Sequence, residues 1–421
     1  MDSLLFLAHR LPYPPNKGDK VRSYHLLRHL ARDYRILLGA FVDDPTDLPH
    51  VQTLKAWCAE VRAEPIVRWS RRLGSIAATL SGEAATLRYF HSDALQRWVE
   101  DVVRREGVKR ALVFSSAMAQ YVLAFPELQT IVDFVDLDSA KWADYARRRP
   151  WPISTLYALE ARRLLEFEKL VAGRTRASLF VTGEEARLLS AASPGCANRL
   201  VVIENGVDGD YFSPARSYES PFPPDEHPIV FTGTMDYWPN EDAVAWFAQE
   251  VLPLVRRRDA KARFHIVGMR PSRAVRALQS EAVNVTGRVE DVRPYLSHAR
   301  VVVAPLRVAR GIQNKVLEAM AMGRPAVVTS AAAAALRAAP EVELAVADAA
   351  ADFADAVLRL IERTVGERIG AAARMRALSD YAWASRLSRL SELVAGAPVG
   401  YPAPEAADGR QRAVLTAVSE R

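Results

Sequence analysis

Arg310, Lys315 and Glu318 are the side chains whose types and spacing best suit chemistry. The run Val301–Ala304 before them is apolar and β-branched, which predicts a buried parallel strand, and a helical pattern begins near Asn314. Arg310 therefore lies in a strand-to-helix loop and Lys315 in the first helical turn, where cations and main-chain amides favour a polyanion such as a diphosphate. Glu318 follows Lys315 by three positions, so it faces the same way and can hold a diol. Diphosphate beside a ribose diol predicts a nucleotide site, and the alternative is an ordinary lysine–glutamate pair on a helix surface.

Three aspartates, Asp133, Asp136 and Asp138, crowd the end of another predicted strand. Acids at the carboxyl end of a strand are candidates for proton transfer or acceptor binding. If the strand continues, alternation places Asp136 and Asp138 on one side and Asp133 on the other. We predict a catalytic role for Asp136 and an acceptor contact for Asp138. The alternative is helix capping by Asp138 or Ser139, and no metal site is predicted.

Gly18 lies between two charged residues, just before a helix predicted to begin near Lys20. A glycine there lets the backbone approach a ligand closely, whereas the alternative is a simple tight turn. Lys17, Lys20 and Arg22 would add positive charge to the same site, although cations in a first helical turn are more often solvated.

Composition limits the class of protein. The chain has 421 residues, 50% hydrophobic and 25% charged, which is typical of globular proteins of two or three domains. A net charge of +6 suits anionic ligands or an anionic membrane surface. The sequence has no stripe of basic residues interleaved with aromatic residues, the pattern that would indicate nucleic-acid binding. Two cysteines without a metal spacing favour a reducing cytosol. The N-terminal apolar run is too short for a signal peptide, and no run approaches the ~20 residues of a membrane span, so we expect a cytoplasmic protein.

Short apolar runs alternate with helical patterns in both halves of the chain, which predicts an α/β protein with parallel sheets covered on both faces. The expected strands are Leu4–Ala8, Ile36–Val42, Ala111–Ser115, Thr130–Val135, Leu179–Thr182, Val201–Glu204, Ile229–Thr232, Phe264–Val267, Val283–Val285, Val301–Ala304 and Ala326–Thr329. A proline-rich stretch separates the two series. We predict domains at 1–212 and 229–395, a linker at 213–228 and a loosely ordered tail at 396–421, with the final helix free to pack back on the first domain.

Five segments, in this order, resemble the family 4 retaining glycosyltransferases of the GT-B fold. They are Pro14–Gly18, Val202–Asp208 with Tyr211–Pro214, Phe231–Asn240, Phe264–Gly268 with Val285–Val289, and Val301–Gly323. The resemblance implies two facing Rossmann-like domains with a cleft between them. It further implies an acceptor bound by the first domain, a nucleotide-diphosphate sugar bound by the second, no bound metal and no separate cofactor.

Glycosyl transfer from such a donor needs a stabilised diphosphate leaving group, and fixed cations aimed at it lower the barrier. We expect Arg310 and Lys315 to act in this way, together with the amides near Gly311 and Ile312. The remaining donor contacts are expected from Arg288 and Val289 to the base, from Glu318 to the ribose, and from Gly18, Gly233 and Asn314.

Two positions depart from the family pattern. Glu318 matches the second glutamate of the family's E-x7-E motif, but Arg310 replaces the first. The family often places an arginine and a lysine after the first strand of its second domain, and Gly233–Asn240 contains neither. We therefore expect the cationic role to have moved to Arg310 and Lys315. A non-catalytic nucleotide-sugar-binding protein and a GT-B sugar epimerase stay open as alternatives.

A narrower resemblance concerns the sugar transferases of bacterial PEP-CTERM/exosortase exopolysaccharide systems. It rests on RLPYPPNKGDKVRSYHLLRHLA, DFVDLDSAKW and ARGIQNKVLEAMAMG, and it implies a lipid-linked acceptor. The segment Lys141–Arg176 is rich in arginine and contains Trp142, Trp151 and Tyr157. Such a face is suited to peripheral contact with anionic lipid headgroups on the inner membrane face, and a solvated charged face is the alternative.

Overall fold

The computed structural model describes residues 1–15, 18–66, 82–309 and 311–399. The chain divides into two compact units. Unit 1 comprises Met1–Ile203 together with the residues from Leu387 onward, and unit 2 comprises Glu204–Arg386. Each unit contains its own parallel β-sheet. Most of the tail expected at 396–421 lies outside the described residues.

Unit 1 is built on a seven-stranded sheet in the order β3-β2-β1-β4-β5-β6-β7. The strands are β1 (Ser3–Ala8), β2 (Arg35–Val42), β3 (Cys58–Pro65), β4 (Arg110–Phe114), β5 (Gln129–Val135), β6 (Ala177–Phe180) and β7 (Leu200–Val202). The central strands are continuous apolar runs because helices cover both faces, and Leu4 to Ala8 are fully buried. The strand β3 was not predicted, because it is not an apolar run: this edge strand alternates charged residues with small ones. Charged residues are common on exposed edge strands.

Seven α-helices lie among the described residues of unit 1. They are α1 (Gly18–Leu30), α2 (Val51–Leu54), α3 (Ala85–Tyr89), α4 (Asp93–Arg105), α5 (Asp138–Arg148), α6 (Ile153–Arg174) and α7 (Gly183–Ala192). Short 3₁₀ turns occupy Pro45–His50, Ser116–Tyr121 and Pro194–Arg199. Ser92 shows why α4 begins where it does, because its hydroxyl accepts a hydrogen bond from the Leu95 amide.

Unit 2 is built on a six-stranded sheet in the order β10-β9-β8-β11-β12-β13. Its strands are β8 (His227–Thr232), β9 (Ala262–Val267), β10 (Val283–Gly287), β11 (Val301–Ala304), β12 (Ala326–Val328) and β13 (Ala345–Val346). The two-residue strand β13 was not predicted, since so short a run carries no periodicity. Gly233, after β8, and Gly268, after β9, pack so closely that a Cβ on Gly268 would lie 1.6 Å from the Gly233 carbonyl oxygen.

The helices that cover this sheet include one that the sequence predicted with the wrong geometry. They are α8 (Trp238–Trp246), α9 (Leu252–Arg256), α10 (Arg273–Arg276), α11 (Arg293–His298), α12 (Asn314–Ala321), α13 (Ser330–Ala333), α14 (Ala350–Ile361), α15 (Arg363–Asp380) and α16 (Trp383–Ala395), the last of which runs into unit 1. The helical pattern of residues Ala243–Val255 predicts one continuous helix, but a π-helical segment at Phe247–Val251 interrupts it. Pro253 explains the interruption, because its ring clashes with the preceding turn and it has no amide to donate.

The strand order reverses once in each sheet, between β1 and β4 in unit 1 and between β8 and β11 in unit 2. Crossovers leave the reversal point in opposite directions, which opens a crevice at the carboxyl ends of the two strands. Ligands of open α/β sheets bind in that crevice. The topology alone therefore marks one candidate ligand position in each unit.

Candidate active site

The reversal point of unit 2 gathers a lysine, an asparagine and a glycine into one cluster. Lys315 lies in the first turn of α12, and its Nζ donates a 2.7 Å hydrogen bond to Asn240 Oδ1 from α8. The ammonium also lies 3.9 Å from the centroid of the Phe231 ring on β8. A Cβ on Gly233 would lie 2.9 Å from Asn240 Nδ2 and 3.2 Å from Lys315 Nζ. Glycine therefore keeps open the space directly in front of the lysine.

The two ionisable side chains of this site, Lys315 and Glu318, lie in an environment of low polarity. Burial lowers the pKa of Lys315 to about 7, against the opposing effect of the Glu318 carboxylate. Burial likewise raises the pKa of Glu318 to about 7, against the opposing effect of Lys315. An anion entering this environment favours the charged ammonium strongly, because little solvent screens the interaction.

The orientation of α12 is determined by its apolar side. Val316, Leu317 and Met320 are buried in the core of unit 2, whereas Lys315 and Glu318 are only partly buried. The prediction that Lys315 and Glu318 share a face is therefore consistent with the packing of the helix. Asn314, the first residue of α12, accepts a 3.3 Å hydrogen bond from Asn205 Nδ2 in the VIENGVD segment. That segment thus lies against the helix start.

The loop before α12 contains the other predicted diphosphate contacts, and the structure describes two of the three, Gly311 and Ile312. Gly311 has φ +63°, a left-handed conformation that glycine adopts without strain. The Ile312 side chain is buried, so only its backbone is suited to a ligand. Arg310 lies outside the described residues, and its predicted role stays a prediction.

The predicted base-binding residues Arg288 and Val289 follow β10, after Gly287 at φ +70°. Val289 packs against the hydrophobic cluster that contains Ala319 of α12. The β10 loop and the helix that carries Glu318 therefore pack on the same cluster.

A tyrosine beside this loop was not predicted. The Arg293 guanidinium lies 3.9 Å from the centroid of the Tyr211 ring and forms a 2.7 Å ion pair with Asp291. Burial raises the pKa of Tyr211, and the charges of Asp291 and Glu318 act in the same direction. The sequence indicated Tyr211 only as part of the segment Tyr211–Pro214. Its contact with Arg293 could not be predicted, because the two residues are far apart in the sequence.

In unit 1 the three aspartates lie within electrostatic range of one another but occupy different surroundings. Asp133 is completely buried and accepts a 2.8 Å bond from Arg22 Nε. Asp136 is exposed beyond the end of β5. The expected alternation assumed a continuing strand, but β5 ends at Val135, whose φ of +66° turns the chain. Asp138 begins α5 instead.

The capping alternative for Asp138 and Ser139 is also incorrect. The helix α5 begins after Leu137, which provides no side-chain cap. Two distant carboxylates hold this helix start: Glu185 accepts from the Leu137 amide at 2.8 Å and Glu168 from the Ser139 amide at 3.4 Å. Burial raises the pKa of Glu168 to about 8.

Two of the three cations near Gly18 are buried, contrary to the expectation that they are solvated. Lys20 and Arg22 are buried on α1, where Lys20 pairs with Asp47 at 2.5 Å and Arg22 pairs with Asp133. They therefore add no free charge to a ligand site. Gly18 itself is exposed as the first residue of α1, and Lys17 lies outside the described residues.

A histidine occupies the reversal point of unit 1, and no pattern in the sequence indicated its importance. His9 follows β1, and its ring stacks on Phe114 of β4 at a centroid distance of 5.7 Å. Its Nε2 lies 3.3 Å from Asp19 Oδ2, and Arg10 pairs with the same carboxylate. Ser115, at the end of β4, has φ +79°, the kind of backbone strain that concentrates at functional sites.

The described residues contain neither a metal cluster nor a membrane span. Among residues 1–15, 18–66, 82–309 and 311–399, no group of three or more histidine, cysteine or acidic side chains is arranged to hold a metal ion. In the same ranges, no helix has both the length and the apolar composition required to cross a bilayer.

Comparison with known proteins agrees with this architecture. Residues 226–363 match the family model described as "Glycosyl transferases group 1". Sucrose-phosphate synthase from Thermosynechococcus elongatus superposes with a TM-score of 0.67 at 16% identity, over 93% of this chain and 98% of that one. HepE from Anabaena, solved with UDP and glucose, gives a TM-score of 0.64 at 14% identity, over 94% of this chain and 100% of that one.

WaaG, a glycosyltransferase involved in lipopolysaccharide biosynthesis, gives a TM-score of 0.62 at 13% identity, over 93% of this chain and 100% of that one. No curated protein matches the sequence significantly. At these identities the superpositions establish the fold and nothing finer. The chain therefore has the GT-B fold of two parallel-sheet α/β units, and residues 226–363 of unit 2 are similar to group 1 glycosyltransferases.

Proposed function

We propose that the protein is a retaining glycosyltransferase that moves a sugar from a nucleotide-diphosphate sugar to a glycan acceptor. The observation that carries the proposal is the cluster of Gly233, Asn240 and Lys315, one helical turn from Glu318, at the reversal point of the group 1 domain. Gly233 leaves room for a diphosphate, Lys315 offers the cation, and Glu318 offers a carboxylate to the ribose hydroxyls.

In the proposed reaction the bond between the anomeric carbon and the diphosphate oxygen breaks as the acceptor hydroxyl oxygen bonds to the same carbon. The acceptor proton passes to a phosphate oxygen of the leaving nucleotide. Lys315 stabilises the charge that develops on that diphosphate, and Arg310 is proposed to assist it. Donor contacts are proposed from Gly18, Arg288, Val289, Gly311, Ile312 and Asn314.

The acceptor is proposed to bind to unit 1, with Asp138 and the His9–Asp19 pair as candidate contacts and Asp136 as the candidate catalytic carboxylate beside them. We further propose that the acceptor is lipid-linked and that the product is a bacterial exopolysaccharide, made at the cytoplasmic face of the membrane. The resemblance to exosortase-associated sugar transferases supports this role. UDP is the proposed nucleotide, supported by the structural similarity to HepE, which was solved with UDP and glucose.

A donor panel tests the proposal. We expect at least one UDP- or GDP-sugar to raise the Tm of the full chain, because a ligand bound only to the folded state stabilises it. The same donor should release its nucleotide slowly by transfer to water, measured with a coupled assay for free UDP or GDP. Stabilisation without turnover would favour a non-catalytic sugar-nucleotide-binding protein. Isomerisation of the sugar with the nucleotide still attached would favour an epimerase.

Glu318→Gln is expected to raise the donor KM by about tenfold to a hundredfold, since a hydrogen bond to a charged group contributes roughly 1.5–3 kcal/mol. Glutamine preserves the size of the side chain, so the Tm should change little. Glu250→Gln, at an exposed position of the same unit, is the matched control and should leave the KM unchanged. An unaltered KM in the Glu318 variant would remove the ribose assignment.

A further inference from the structure

The connection between α5 and α6 in unit 1 exposes large apolar side chains. Trp151 is 81% exposed, Leu156 52% and Ile153 43%. These three residues, here called the apolar tip, fall within six positions of the sequence. Isolated exposed apolar residues need no explanation, but a contiguous group on one surface marks a contact with a partner or a membrane.

The helices beneath the apolar tip are packed, so its exposure does not result from an unfolded segment. Trp142 of α5 contacts Tyr157 of α6 with ring centroids 5.1 Å apart, and Trp142 contacts Tyr145 at 5.9 Å. The sequence grouped Trp142, Trp151 and Tyr157 as one aromatic face. The structure instead uses Trp142 and Tyr157 to join the helices and leaves Trp151 outside.

The sequence around the apolar tip carries a net positive charge. Residues 141–157 contain four basic residues and one acidic residue, a net charge of 4 − 1 = +3. Arg147 and Arg149 are exposed on the N-terminal side of the tip, and Arg147 pairs with Asp144, the acidic residue of the group.

The next acid in the sequence does not offset this charge, because it is turned inward. Glu160 is buried, and its carboxylate accepts hydrogen bonds from the Ala85 amide at 2.6 Å and the Thr86 amide at 2.8 Å. The outward surface at the helix connection is thus apolar at its centre and cationic beside it.

We propose that the apolar tip inserts into the headgroup region of an anionic bilayer, with Arg147 and Arg149 contacting the lipid phosphates. Tryptophan is suited to this depth because its ring is apolar and its indole N–H is polar. Exposed arginines are attracted to anionic lipid surfaces, and this attraction is screened by salt. Insertion itself does not depend on the proposed function. Only its biological purpose rests on that function, because a lipid-linked acceptor is presented at such a surface.

Vesicle flotation of the full chain tests the insertion without any donor or acceptor. The vesicles contain phosphatidylcholine and phosphatidylglycerol in a ratio of about 7:3, or phosphatidylcholine alone. Wild type is expected to float with the anionic vesicles and to bind much less to the neutral ones. The double variant Trp151→Ala/Leu156→Ser should bind about tenfold more weakly, because burial of large apolar side chains is lost. Arg147→Gln/Arg149→Gln should lose most of the salt-sensitive part of binding.

Met375→Ala is the matched control, since Met375 is 69% exposed in unit 2 and should not affect flotation. Absence of wild-type flotation with anionic vesicles would overturn the proposal, as would equal flotation of the Trp151/Leu156 variant. A dimer that dissociates in that variant, detected by light scattering, would assign the apolar tip to a second copy of the chain. Failure of the donor panel leaves this experiment unaffected, so the two proposals can fail separately.

Discussion

Lys315→Met is expected to lower kcat/KM for the nucleotide sugar by about 10²–10³-fold, the usual loss when one donor to a developing oxyanion is removed. The ammonium is the described cation closest to Gly233, where a substituent would touch both Lys315 and Asn240. Methionine preserves the length of the side chain but neither the charge nor the bond to Asn240 Oδ1. Steady-state release of nucleotide from the donor identified by the panel measures the effect.

The stability of this variant should change little. Burial already lowers the pKa of Lys315 to about 7, so the folded protein gains little from keeping the ammonium charged without a ligand. A normal Tm together with lost turnover would therefore locate the defect in the chemistry. Lys261→Met, at an exposed position in unit 2, is the control. Full activity of Lys315→Met would show that the diphosphate binds elsewhere.

Local pattern was sufficient to predict the framework of this site. The strand Val301–Ala304, the start of α12 at Asn314 and the shared face of Lys315 and Glu318 all follow from residue type and helical spacing over about 20 residues. The glycine after β8 was also predicted as a donor contact. The hydrogen bond from Lys315 to Asn240 links these elements. It could not be predicted in the same way, because it joins residues 75 positions apart and depends on the strand order.

The residues of unit 1 show the same division between local and distant information. The partners of Lys20 and Arg22 lie 27 and 111 positions away, so no helical pattern could reveal that these cations are buried. His9 was overlooked for a related reason. Its surroundings depend on β1 lying beside β4, which brings Phe114 and the strained Ser115 to the same edge of the sheet.

The same feature of the strand order identifies the candidate ligand position in each unit. In both sheets the strand order reverses beside the first strand of the unit. A pair of polar side chains lies at each reversal point: Lys315 with Asn240 in unit 2, and His9 with Asp19 in unit 1. A rule derived from sheet topology thus selects Lys315, which residue type had also indicated, and His9, which it had not.

Arg22→Leu is expected to destabilise unit 1 by about 3–5 kcal/mol, because it leaves the completely buried Asp133 without its cation. For a unit of this size the Tm should fall by roughly 6–20 °C, measured by calorimetry or circular dichroism. Arg32→Leu, at an exposed position just after α1, is the control and should change the Tm little. The variant Arg22→Leu/Asp133→Asn should recover much of the loss, since asparagine is neutral and retains an oxygen for the Val135 amide.

The pH dependence of Arg22→Leu distinguishes a buried charge from a simple packing defect. Burial raises the pKa of Asp133, and Arg22 opposes that shift, so removing Arg22 raises the pKa further. A carboxyl whose folded pKa lies above its unfolded value binds its proton more tightly in the folded state. The free energy of unfolding therefore falls as the pH rises through the interval between the two values. The Tm difference from wild type should accordingly be smaller at about pH 5 than at about pH 8, and a difference independent of pH would show that the introduced leucine merely fits poorly.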